Sequence, residues 1–236
     1  MTVLARADLG HAAVLLVWAG FFTWLWVSGE VTRYLGPRTF WVVPFGALAL
    51  GAAAIGHTFA ARRAAGARPG AREVAGLLVL VLPVMAVVVV PRPSLGALAA
   101  SRKAPSQGTI ALGSLAAPAP QRGEPVSFID IHYANESEAY ANEAGITEGT
   151  EVHLLGFVTH SETTPDGMLE LTRFYVSCCA ADALPYSVVV DPAGGGDPGD
   201  DEWLDVSGRM TNRGGTWVLV ADEMERRSEP PDPYLS

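Results

Sequence analysis

Residues 9–29 read LGHAAVLLVWAGFFTWLWVSG, with no Asp, Glu, Lys or Arg between Asp8 and Glu30. A hydrocarbon core of about 30 Å needs roughly 20 apolar residues as an α-helix, so this stretch is long enough to cross a bilayer. Two similar runs follow. Residues 39–61 lie uncharged between Arg38 and Arg62, and residues 74–91 between Glu73 and Arg92, the last near the short end of the range. A helix on the surface of a soluble protein keeps one polar face. Three uncharged runs in succession therefore predict three N-terminal transmembrane α-helices over residues 1–91.

The loops set the expected orientation. Arg62, Arg63, Arg68 and Arg72 follow the second run, whereas the first loop carries only Arg33 and Arg38, partly offset by Glu30. Short arginine-rich loops stay cytoplasmic. The expectation is a multi-pass cell-membrane protein with a cytoplasmic N-terminus and an extracytoplasmic C-terminal domain. Arg92, Arg102 and Lys103, just past the third run, pull against this without reversing it. Trp18, Trp24, Trp26 and Trp41 lie mainly toward the outer ends of their runs, where interfacial rings belong. His11 and His57 fall near the cytoplasmic ends; ionisable residues within spans are functional suspects, and interfacial placement is the simpler account of both.

Charge divides the chain. Residues 1–104 are net +7 and residues 105–236 net −16. Residues 92–125, rich in Pro, Ala, Gly and Ser, read as a flexible linker. Residues 126–227 read as the domain, and the polar tail 228–236 as disordered. Strand patterns fall at 151–160, 168–177, 186–190, 203–210 and 216–221, with turns at Pro165-Asp166-Gly167 and at 212–215. A short helix is expected at 135–143, stopped by Gly145, and one helical turn at 180–184, stopped by Pro185. Gly156 and Gly208 sit where a small barrel must bend. The mostly-β domain is expected to be an OB-fold-like barrel, with a β-sandwich as the alternative. Nucleic acid is excluded as a partner, because single-strand sites need a positive groove with stacking aromatics.

The only two cysteines are adjacent, Cys178 and Cys179. Successive side chains of a strand point to opposite faces, so both sulfurs reach one ligand only where the strand ends or bulges. A helical turn starting at Ala180 would place them near a helix N-terminus, which lowers thiol pKa. Three readings stay open. One is a site for Zn²⁺ or Cu(I), with Asp182 the nearest further ligand and His132, His153 and His160 the domain's only histidines. Another is thiol–disulfide chemistry, although no resolving cysteine exists. The last is a buried packing pair. Asp197, Asp200, Asp201 and Glu202 form an acidic run without the oxygen spacing of a calcium loop, so a solvated charge run is expected. Arg173 is expected to support the structure. No nucleophile elbow, phosphate loop or zinc-protease helix occurs, and the chain is not expected to be an enzyme.

The stretch Arg173-Phe174-Tyr175-Val176-Ser177-Cys178-Cys179-Ala180-Ala181-Asp182-Ala183 resembles the signature of the YcgQ-like family of bacterial membrane proteins, regarded as permease subunits with a C-terminal domain of unknown function. Val152-His153-Leu154-Leu155-Gly156-Phe157-Val158 and Trp203-Leu204-Asp205-Val206-Ser207-Gly208-Arg209 are similar to strands of that family. The resemblance implies a larger multi-spanning permease subunit as partner and marks Arg173, Cys178, Cys179 and Asp182. The expected function is that of an accessory subunit of a permease complex. Its outer domain would present a Cys-Cys site to a soft metal or metalloid. The alternatives are a membrane-anchored thiol-redox protein and a structural interaction module with buried cysteines.

Overall fold

The structure, a computed structural model, describes residues 4–63, 70–90, 94–110, 123–162, 164–192, 194, 196 and 198–235. It divides into two compact units, Met1–Pro93 and Ser94–Ser236.

The first unit contains α1 (Leu4–Ser28), α2 (Val42–Arg63) and α3 (Ala71–Val89). Segments Leu9–Ser28, Pro37–Ala60 and Ala71–Val89 are long and apolar enough to cross a membrane. Helix α1 packs on both others. Close approach to α2 needs a glycine: a Cβ at Gly46 would lie 2.8 Å from the Phe22 ring. Against α3, the Trp18 indole N–H donates to the Leu80 carbonyl at 3.0 Å, within a turn of Pro83. Val27, Leu48 and Val89 are 71–78% exposed, as befits helices that are apolar on every side.

The second unit begins with α4 (Ala97–Ile110), inside the stretch expected to be a flexible linker. Over α4 that expectation is corrected: Ala97 and Ala100 are buried, and the Asp201 carboxylate accepts the Ala97 N–H, while residues 92–93 and 111–122 of the stretch lie outside the described residues. Next come α5 (Phe128–Glu136) and α6 (Glu138–Ala144). Ser127 and Asp130 cap α5 reciprocally, and Ser137 both ends α5 and caps α6. Gly145 closes α6 at a φ of 75°, the left-handed conformation that glycine adopts without strain. The single helix expected at 135–143 is thus two short ones hinged at a capping serine.

Six strands form one mixed sheet: β1 (Glu151–Thr159), β2 (Leu169–Tyr175), β3 (Leu184–Asp191), β4 (Trp203–Arg213), β5 (Thr216–Arg227) and β6 (Tyr234–Leu235). The expected β-sandwich alternative needs two stacked sheets and is not what forms. Pairing runs β1–β4–β5–β3–β2, and β2 also pairs with β1, so the order returns to its start. All these pairings are antiparallel except β3 with β5. The register slips between Ser207 and Gly208, where a Cβ on Gly208 would collide with the Val220 carbonyl. The tail expected to be disordered supplies β6, parallel to β2, with Tyr234 buried.

Strand alternation sorts the side chains into two clusters. Val158, Leu171, Val188 and Val206 join Phe128 and Ile131 of α5 in the main core. On the other face, Phe157, Phe174, Val176, Ala183, Trp203 and Tyr234 pack with Ala100 of α4.

Candidate functional site: the vicinal cysteine pair

Strand β2 stops at Tyr175, and the chain bends at Ser177 and Cys178. Val176 is buried in the outer-face cluster, which anchors the strand side of the bend. Cys179 then caps a one-turn 3-10 helix, Ala180–Asp182, whose third residue reaches back. The Asp182 carboxylate accepts the N–H of Cys178 at 2.9 Å and of Cys179 at 3.3 Å. This turn resolves the problem of alternating faces. The two sulfurs come to 3.8 Å from one another, with no disulfide between them.

Cys178 is exposed and Cys179 half-buried, so this is not a packing pair buried in the core. The expected fall in thiol pKa is also corrected. Hydrogen bonding to Asp182, followed by that to Cys179, pushes the Cys178 thiol up to about 11. A single 3-10 turn offers little dipole, and the carboxylate beside the sulfur outweighs it. Asp182 itself is lowered: burial works to raise it, but hydrogen bonds from the Cys178 thiol and from the Cys178, Cys179 and Ser177 N–H groups prevail.

The histidines lie elsewhere. His132, on α5, stacks edge-on to Tyr186 and faces Glu136 at 3.6 Å; burial lowers its pKa, against the pull of Glu136. His153, on β1, pairs with Asp205 of β4. His160 reaches Asp200 at 2.8 Å. His132 and His160 share a cavity of about 160 Å³ with Thr159, Glu170 and Ser187, a grouping with no signature along the chain. Among the described residues, no group of three or more His, Cys, Asp or Glu is arranged to hold a metal ion.

Arg173 works as a clasp for the C-terminal segment. It donates to the carbonyls of Asp232 at 2.6 Å, Pro233 at 3.3 Å and Leu155 at 3.5 Å. In the acidic run, Asp200 holds His160, Asp201 caps α4 and Glu202 pairs with Arg226 at 2.8 Å, while Asp197 lies outside the described residues. In the first unit His11 and His57 meet with ring centroids 5.9 Å apart and planes 22° from parallel.

Residues 117–235, just over half of the chain, match the DUF1980 C-terminal domain. The chain belongs to the DUF1980 C-terminal domain family. The matched region takes in the whole strand order from β1 to β6 and the cysteine turn. No curated protein and no solved structure matches the chain. Two residues to which the sequence reading gave no role at the site are placed near it: Lys103, the only lysine in the chain, donates to the cysteine turn, and Asp201 accepts the first N–H of α4.

Proposed function

We propose that this protein is a membrane-anchored accessory subunit of a permease complex, of the YcgQ-like kind, whose DUF1980 domain presents Cys178 and Cys179 to a soft metal ion or metalloid. The observation that carries the reading is the sulfur–sulfur distance of 3.8 Å. Two thiolates at about 2.3 Å from one ion, separated by the tetrahedral angle, lie about 3.8 Å apart. The pair therefore already has the bite of a bidentate thiolate ligand for Zn²⁺, and Cu(I) is a second candidate of matching softness. Exposure of Cys178 leaves room for the remaining ligands to come from cargo, solvent or the permease. Asp182 holds the turn by accepting the N–H groups of Cys178 and Cys179, which orders both cysteines for one ion. The thiol-redox alternative has weaker support, because the chain holds no third cysteine to resolve a mixed disulfide.

The closed strand order, with β3 and β5 its one parallel pair among β1–β5, supports an OB-fold barrel for this domain. The arginines of the loops support a cytoplasmic N-terminus and an outward-facing DUF1980 domain. Three spans are few for a pore in one chain, which favours a larger multi-spanning partner.

The reading is tested by maleimide labelling of the full chain in detergent micelles. Both thiols should label in the metal-free protein, lose labelling with stoichiometric Cd²⁺ and regain it with chelator. Labelling indifferent to Cd²⁺ would remove the metal reading.

A further inference from the structure

Helix α4 is fastened to the cysteine turn. The Lys103 ammonium, midway along α4, donates to the carbonyls of Ala181 at 2.9 Å, Ala183 at 3.1 Å and Ala180 at 3.4 Å. These are carbonyls of the 3-10 turn that Cys179 opens and of the residue after it, and they hold the ammonium by charge-assisted hydrogen bonds. The same turn holds Asp182, which orders the backbone of both cysteines. Val176 and Ala183, on either side of the cysteine loop, share one buried cluster with Ala100 of α4.

The apolar face that α4 lays on this cluster is small, being made of alanines, so polar fastenings bear more of its docking. There are two. Lys103 grips the cysteine turn, and Asp201 accepts the first N–H of the helix. Asp201 does so from a φ of 68°, a conformation that non-glycine residues rarely adopt. A backbone held there, with its carboxylate on the helix end, marks α4 docking as built into the fold rather than incidental.

We infer that α4 is a latch on the thiol pair: Lys103 is a positioning residue for the cysteine turn, and occupancy of Cys178 and Cys179 is coupled to docking of α4 on the sheet. The inference rests on reading the pair as a ligand site, and it names that site's regulation. Because coupling is reciprocal, a change that frees α4 weakens binding at the thiols, and binding at the thiols tightens α4.

Lys103→Met and Lys103→Arg in the full chain, in detergent micelles, test this with Cd²⁺ as the probe. Affinity for Cd²⁺ is expected to fall about tenfold or more in Lys103→Met, the scale of lost support behind metal ligands, and to return toward wild type in Lys103→Arg. In the wild type, Cd²⁺ should slow hydrogen exchange over residues 97–103, and Lys103→Met should abolish that response. Labelling of Cys178 in the metal-free protein should quicken several-fold in Lys103→Met and return toward the wild-type rate in Lys103→Arg. Wild-type Cd²⁺ affinity, exchange response and labelling rate in Lys103→Met would overturn the latch. If the wild type binds no Cd²⁺, the ligand reading falls. The labelling rate then decides the positioning role alone: unchanged overturns it, quickened supports it.

Discussion

The two units place their apolar side chains in opposite ways. In Met1–Pro93, Leu48, Leu78 and Val79 are 66–76% exposed, and the helix contacts include Gly46 with Phe22 and Trp18 with Leu80. In Ser94–Ser236, Ile131, Leu171, Phe174 and Val190 have no exposed surface at all. Water drives the second arrangement, since apolar area gains by leaving it. The first suits a hydrocarbon surrounding, in which a lipid tail is as apolar as a leucine and helix contact depends on packing and polar groups, and three of its segments are long and apolar enough to cross a membrane. Chemically similar residues thus carry opposite structural weight in the two units. Among the described residues of the first, buried apolar side chains cluster at Leu25, Val31 and Val43, whereas in the second they build two cores on the faces of the sheet.

Truncation gives the sharpest way to break this contrast. Phe174→Ala should cost about 3–5 kcal/mol, since the ring is fully buried between Phe157 and the α4 contact. Leu78→Ala, on a 66% exposed side chain of α3, should cost less than about 0.5 kcal/mol in detergent. Each is read as the denaturant midpoint at which its own unit loses protection from protease. Equal effects would mean that α3 buries its apolar face against protein.

A smaller effect sharpens the contrast within the second unit, between its sealed sheet and its exposed turn. Asp182→Asn removes the carboxylate that raises the Cys178 thiol. The pKa should drop from about 11 toward the ordinary thiol range, and alkylation at neutral pH should rise by on the order of tenfold. In the parent chain the thiolate form, and with it the labelling rate, grows only as pH climbs toward about 11. The rate profile against pH measures both chains. Coincident profiles would show that Asp182 does not govern this thiol.

Features carried by local pattern were readable along the chain. The three apolar helices follow from uncharged runs, and β1 to β5 from alternation and turn residues. The cysteine turn followed too, because Pro185 and the Ala-Asp composition limited what comes after Cys179. What escaped depends on distant partners. Helix α4 has an alanine face too weak to show as amphipathic, and Asp201 and Lys103 fasten it across 104 and 77–80 residues of sequence. Strand β6 is two residues long and exists because Arg173 and Phe174 hold it. The direction of the Cys178 shift was misjudged because the turn's dipole was weighed and the facing carboxylate was not. Splitting of the expected helix at Ser137 needed the cap geometry, which composition does not display.

The most direct test of the central claim is Cd²⁺ titration of the full chain in detergent, following the ultraviolet thiolate-to-metal band. One equivalent should saturate the wild type, and Cys178→Ser and Cys179→Ser should each lose the band while keeping the fold. A wild type that shows no band, or variants that bind as the wild type does, would contradict a metal role for the pair.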